Sequence, residues 1–377
     1  MNIHAPLPYF PRAPLDTECL GHIGLGKGVS MFAPRRRGKT SFVEHELIPA
    51  AQNNGFHVIY VDLWTREKTP EIAIVDALEA YSGKTNFRVT SAKIKAGVRG
   101  AGLEAGAEVT GSTPPGESDL LTRLFSAFDR IRGTTDVLLV IDEFQALANC
   151  QEPGFVAALR SHIQRLPRLK VFFTGSSRRE LSNMLSTQSA PFLGMTMPVP
   201  LPELGRAFVE DRCAIFFERT GRTIDIEAMA VVFKQLVLVP EYLNQVLGLM
   251  IVRGIYDPAA GYEAWKDAML EQGEGSKLWS TLSELDQQII LLLNHAPARP
   301  MFAKATLDWL SDRLPGENIT AGRMQTALQR LVRNGVLEQG QARGEYEVGH
   351  DDLRVFVSHL KKPKLPGQSL RRRTRSR

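Results

Sequence analysis

The chain has 377 residues and a net charge of +5 at neutral pH, with 43% hydrophobic and 23% charged residues. That length suits two or three domains with at least one large core, and no stretch reaches the roughly 18 uninterrupted apolar residues that a membrane span needs. Cys19, Cys150 and Cys213 are far apart and odd in number, and the N-terminus has no basic segment followed by an apolar run. Neither secretion, a disulfide framework nor a Cys-based metal site is supported, so a reducing cytoplasm is the expected location.

The basic balance is local. Lys361, Lys362, Lys364, Arg371, Arg372, Arg373, Arg375 and Arg377 stand in the last stretch with no acid among them. Removing these eight charges from +5 leaves residues 1 to 360 at −3. Residues 361–377 read as a disordered basic tail, which either anchors on phosphates without reading sequence or is simply solvated.

Val29 to Phe32 reads as a strand, Ala33 to Gly38 as a turn, and Thr40 onward as a helix to Ile48 with Pro49 as its stop. A second strand, His57 to Trp64, is almost continuously β-branched and aromatic, as a strand buried on both faces would be. Thr69 as N-cap with Pro70 at the first helical position opens a helix that ends near Tyr81-Ser-Gly. Strand, helix, strand, helix predicts a parallel α/β sheet. Residues 84–118 interrupt it with alternating, Gly-rich sequence, read as a hairpin and loop insertion. The rhythm resumes with a helix from Ser118 to Arg132, a strand from Val137 to Ile141, a helix from Pro153 to Gln164, and a strand from Lys170 to Thr174.

From residue 202 to 275 helical periodicity takes over, which predicts a helical lid after a core spanning 1–201. Three further helices follow, Leu282 to Asn294, Phe302 to Leu314 and Thr320 to Asn334, and then a small hairpin. Over 276–360 this pattern suits a winged helix-turn-helix, whose third helix carries Arg323, Gln325, Gln329, Arg330 and Arg333. Those side chains suit phosphates or bases, and equally a solvated helix face. A winged helix of this kind also serves elsewhere as a protein contact or a cover.

The strongest constellation is Ala33-Pro34-Arg35-Arg36-Arg37-Gly38-Lys39-Thr40 between a predicted strand and helix, continued by Ser41. Backbone N–H groups of such a loop and the positive end of the following helix make an anion nest. Gly38 permits close approach, Lys39 reaches the β- and γ-phosphates, and the Thr40 hydroxyl suits Mg²⁺. Chance matches in a chain of this length number on the order of 0.03. Gly24-Leu25-Gly26-Lys27-Gly28 only imitates it, because it precedes a strand and meets no helix.

Val137 to Ile141 ends in Asp142-Glu143-Phe144-Gln145. Asp142 stands where α/β sheets put ligand chemistry and suits Mg²⁺, directly or through water, and Glu143 is the candidate for polarising an attacking water. A third strand ends in Thr174-Gly175-Ser176-Ser177-Arg178-Arg179. Its hydroxyls either meet a γ-phosphate or cap the next helix. Asp62 is a minor candidate for the same crevice.

MFAPRRRGKTSF, VLLVIDEFQAL, VFFTGSS, PFLGMTMPVPL, Val239-Pro240-Glu241-Tyr242-Leu243 and the terminal winged helix together resemble the archaeal-type ATPases, a family grouped with the STAND branch of AAA+-like P-loop NTPases. The resemblance runs over roughly residues 10 to 358. It implies ATP contact by residues 33–40, Mg²⁺ coordination by Thr40 and Asp142, catalysis by Glu143 with Lys39, and a sensor role at Ser176. The family's lid usually reads Gly-Gly-x-Pro, whereas Leu238-Val239 precede Pro240 here; Gly194-Met195 stand where the family often has an Arg after the Gly. The expected protein is an α/β P-loop ATPase working as a nucleotide-driven switch. A DNA-binding loader, with duplex held by winged helix and tail, is one rival, and a non-hydrolysing scaffold for a protein partner or homo-oligomer is the other.

Overall fold

The computed structural model describes residues 6–81, 117–131, 133, 135–176, 184–185, 190–296, 300–339 and 344–360. Nearly all of the 84–118 insertion, Ser177 to Arg179 and the tail 361–377 lie outside them.

Within residues 6–205, one compact unit, five strands lie side by side: β1 (Gly28–Phe32), β2 (His57–Asp62), β3 (Val137–Asp142), β4 (Leu169–Gly175) and β5 (Thr196–Pro198). Their order is β2-β3-β4-β1-β5, and every pairing is parallel. The unbroken apolar runs follow from burial on both faces. Ile59, Val61, Leu139, Ile141, Val171 and Phe173 pack on one side with α4 (Pro70–Ala80), α5 (Glu117–Ile131) and α6 (Phe155–Arg165). The alternate residues Val58, Tyr60, Leu138, Val140 and Phe172 pack on the other with α1 (Leu15–Gly24), α2 (Lys39–Phe42) and α3 (Ile48–Asn53).

Several boundaries differ from the sequence reading. β2 stops at Asp62, because the Asp62 carboxylate accepts the Trp64 N–H (2.9 Å) and starts a 3₁₀ turn over Leu63–Arg66. Pro49 does not end the helix after the Gly-Lys-Thr turn. A widened π turn over Val43–Leu47 joins α2 to α3, with the Ile48 N–H bonding Val43 O, and this shift of hydrogen bonding just before Pro49 lets the helix pass a residue that has no N–H to give. Strand β5 is absent from the sequence reading; three residues ending in Pro198 on a sheet edge carry little pattern.

Residues from Arg206 on form a second unit. Its helices are α7 (Arg206–Thr220), α8 (Ile226–Gln235), α9 (Pro240–Arg253), α10 (Pro258–Gln272), α11 (Glu274–Thr281), α12 (Glu284–His295), α13 (Lys304–Arg313), α14 (Ala321–Arg333) and α15 (Asp351–His359). β6 (Leu337–Gln339) and β7 (Tyr346–Val348) pair antiparallel, with Leu337 opposite Val348. A core of Ile289, Leu292, Leu310, Met324, Leu328 and Leu353 joins α12, α13, α14 and α15. Helix α15 has no counterpart in the sequence reading. Before α9, Val237 and Leu238 both have φ of 55°, a region that glycine enters freely and a non-glycine residue enters at about 1–3 kcal/mol. No described helix is long and apolar enough to cross a membrane.

On α14, Arg323, Gln325, Gln329 and Arg333 are exposed. Arg330 is committed elsewhere: its guanidinium donates to both carboxylate oxygens of Asp286 (2.6 and 2.7 Å). Asp286 is buried in the first turn of α12, and Ser283 caps that helix by accepting its N–H (3.3 Å). Arg330 therefore ties α14 to α12 and is not a free group of a solvated or DNA-facing surface. Replacing it by alanine leaves a buried carboxylate short of its cation and is expected to cost about 2 kcal/mol. Arg333→Ala, at an exposed neighbour, is expected to stay within about 0.5 kcal/mol of wild type. Urea unfolding of the two variants measures the difference.

Candidate functional site at the C-terminal ends of β1, β3 and β4

The loop that leaves β1 turns through left-handed residues at Arg36 (φ 62°) and Gly38 (φ 92°) before Lys39 opens α2. Left-handed residues within a turn suit the inward-facing N–H groups of an anion nest. A side chain on Gly38 would be strained by that φ and would stand 3.2 Å from the Arg12 guanidinium. Arg12, which the sequence reading passed over, braces this loop: it donates to Arg37 O (2.5 Å) and Pro202 O, and its own N–H meets Glu46 Oε1 (2.7 Å). Ala33 is buried, Pro34 and Arg35 are exposed, and the Arg35 guanidinium lies 4.3 Å from the centre of the Trp64 ring. Arg37 stands 3.7 Å from Glu203. Ser41 is half-buried, and its carbonyl is 2.9 Å from His45 Nδ1.

Lys39 has a side chain only 4% exposed. Its Nζ donates to Ala33 O (2.7 Å) and Pro34 O (3.3 Å) and lies 3.7 Å from Glu143 Oε1. Burial pushes its pKa below the ordinary lysine value, and the nearby Glu143 and Asp142 carboxylates oppose that shift.

Asp142 ends β3 at 2% exposure, with four donors on its carboxylate. Oδ2 accepts from Thr40 Oγ1 (2.7 Å) and the Tyr60 hydroxyl (3.1 Å). Oδ1 accepts from the Glu143 N–H (3.1 Å) and the Thr174 hydroxyl. Thr40 of the loop and Asp142 of the third strand, 102 positions apart, are thus in direct contact, which puts two hard oxygen groups side by side as Mg²⁺ requires. Asp62, the register partner of Asp142 in β2, turns its carboxylate back on its own chain instead.

Glu143 adopts a left-handed backbone (φ 56°), uncommon for a residue with a side chain. Its Oε2 accepts from Ser176 Oγ (2.6 Å), the Ser176 N–H (3.2 Å) and Gln145 Nε2 (2.5 Å). Ser176 thus bonds the acid just beyond the end of the neighbouring strand. Tyr60 and Gln145 escaped the sequence reading as site groups, and the Thr174 hydroxyl, there offered to a γ-phosphate, bonds Asp142 instead. Gln145 and Thr174 stood within motifs already singled out, without being assigned to Glu143 or Asp142; Tyr60 sits inside an apolar strand, where nothing marks its hydroxyl.

A parallel sheet whose first strand runs into A-x₄-G-K-T, with an acidic strand end two strands away touching that threonine, defines a P-loop nucleotide-binding fold. No family model and no curated protein matches the chain. Among solved structures it is similar to the Walker-type ATPase PABY2304 of Pyrococcus abyssi, at 16% identity over 93% of this chain and 96% of that one, with a TM-score of 0.60. It is also similar to the Aeropyrum pernix ORC2 protein in ADPNP-ADP complexes, at 14% identity over 94% and 95%, with a TM-score of 0.55. At these identities the likeness is one of fold, that of the P-loop nucleotide-binding proteins.

Burial, reinforced by the Asp142 carboxylate, pushes the Tyr60 phenol well above its ordinary value of 10.0. The folded state therefore holds this proton more tightly than the unfolded chain. The resulting stability is complete below about pH 10 and is lost as pH rises beyond it. Urea midpoints between pH 9 and 11 are expected to fall more steeply for wild type than for Tyr60→Phe.

Proposed function

We propose that the chain binds ATP with Mg²⁺ at this end of the sheet and hydrolyses it slowly, as a nucleotide-driven switch. The observation that carries the reading is the convergence of Lys39, Thr40, Asp142 and Glu143, drawn from two separate motifs. Residues 33–41 would supply the phosphate-facing backbone, and Thr40 and Asp142 would hold the cation. Bound there, Mg²⁺ neutralises charge on the phosphate oxygens. Lys39 meets the phosphate as a buried point charge, made effective by its low-dielectric setting. Glu143 orients the attacking water and takes its proton.

We assign 1–201 to the ATPase core, with 84–118 as its insertion, 202–275 to a lid, 276–360 to a winged helix and 361–377 to a basic tail. The sequence α12, α13, α14 and the β6-β7 hairpin supports the winged-helix reading. Three cysteines without disulfides fit a cytoplasmic protein.

A second reading, a DNA-binding loader, is favoured by the exposed Arg323, Gln325, Gln329 and Arg333 on α14, although Arg323 already pairs with Glu317 (2.8 Å). A scaffold for a protein partner or a second copy is the third.

Glu143→Gln is expected to keep ATP affinity and lose turnover by about 10²–10⁴-fold, while Lys39→Ala loses ATP binding itself. Steady-state hydrolysis and nucleotide titration read these, and ATP binding indifferent to Lys39 would overturn the reading. If the winged helix holds duplex, Arg333→Ala weakens binding of unrelated sequences alike and lowers the salt slope by about 1. DNA-independent hydrolysis without duplex binding would instead favour a switch addressed to a protein.

A further inference from the structure

Gln145 lies two residues beyond the proposed general base, and nothing in the reading above uses it. Phe144, between the two, is fully buried and stacks on Phe173 with ring centres 3.9 Å apart, its edge against Phe192 at 5.0 Å. Anchoring Phe144 in the core leaves Glu143 and Gln145 flanking one fixed residue. Gln145 Nε2 then reaches Glu143 Oε2 at 2.5 Å and Ser176 Oγ at 3.2 Å. Together with the hydroxyl and N–H of Ser176, this places three donors on Oε2, while Oε1 faces Lys39 at 3.7 Å. Rotating the carboxylate breaks all three bonds.

The same amide carries a cost. Gln145 is 7% exposed, and its Oε1 has no hydrogen-bond partner among the described residues. A buried acceptor left unpaired costs about 1–3 kcal/mol, a penalty that an apolar side chain of similar length avoids. A position serving packing alone would be better filled by methionine or leucine.

We infer that Gln145 is a positioning residue: with Ser176 it locks the Glu143 carboxylate so that Oε1, on the Lys39 side, is the oxygen that works on the attacking water. The inference rests on the ATPase reading above. In that reaction the water oxygen bonds to the γ-phosphorus, the bridging oxygen leaves on ADP with the electron pair of the broken bond, and the water proton passes to Oε1. An acceptor free to rotate presents the wrong oxygen part of the time, and small misplacements of a reacting group are costly.

The test is Gln145→Met in the full chain, assayed with MgATP as hydrolysis per bound nucleotide, so that any loss of folded protein drops out. The expected result is an unchanged ATP dissociation constant, turnover at least ten-fold lower, and a melting temperature no lower than wild type. In a Glu143→Gln background the same change should alter turnover less than two-fold, because Gln145 acts through Glu143. Turnover within two-fold of wild type in the single variant overturns the inference. So does an equal loss in the Glu143→Gln background, which would place the effect of Gln145 elsewhere. A wild type that binds MgATP without hydrolysing it overturns this inference together with the ATPase reading, which separates the two failures.

Discussion

The Asp142 carboxylate is the constraint on which the rest of the site depends. An ionised group at 2% exposure is tolerable only when its lone pairs are filled, and here the four donors come from four places: α2, β2, β4 and the next residue of its own chain. Each donor therefore reports on a different element being in register. Thr40 reaches Oδ2 only if the loop after β1 closes over the sheet end. Tyr60 does so only if β2 pairs with β3 so that its even-numbered side chains face α1, α2 and α3. Thr174 does so only if β4 runs parallel beside β3. The carboxylate acts as a lock on sheet order as well as a prospective cation ligand.

Glu143 inherits its position from that lock. Its N–H is held by Asp142 Oδ1 and by Thr174 Oγ1 (3.2 Å), and the core takes Phe144, so the residue between them is driven into a left-handed backbone. Strain of this kind, about 1–3 kcal/mol, persists where surrounding contacts over-determine it. The outcome is an acid projected from the sheet end toward Lys39, with one oxygen tied down and the other facing the lysine. Lys39 in turn is buried against loop carbonyls and the Glu143 carboxylate, so its charge is both costly and concentrated.

Much of this was legible beforehand, for identifiable reasons. The strands β1 to β4 announced themselves because burial on both faces demands continuous apolar sequence, and residues 33–40 because a phosphate loop constrains glycine, lysine and hydroxyl positions at fixed spacing. The helix through Pro49 was misread because a π turn leaves no mark in periodicity. Three-residue β5 and helix α15 carried too little pattern. Arg330 sits on a half-exposed helix face, and its pairing with Asp286 could not be read there because it spans 44 positions.

The class of fold, the phosphate loop and the acidic strand end are readable from residue order alone, since each is set by local pattern: the alternation of strands with helices, motif spacing and turn chemistry. Which groups complete the site depends on contacts that exist only once the chain is folded. Tyr60, Thr174, Arg12, Ser176 and Gln145 become partners of Asp142, the loop and Glu143 through strand order and burial. Those contacts join residues up to 82 positions apart, and a hydroxyl or amide in a sequence does not disclose which buried charge it will be required to satisfy.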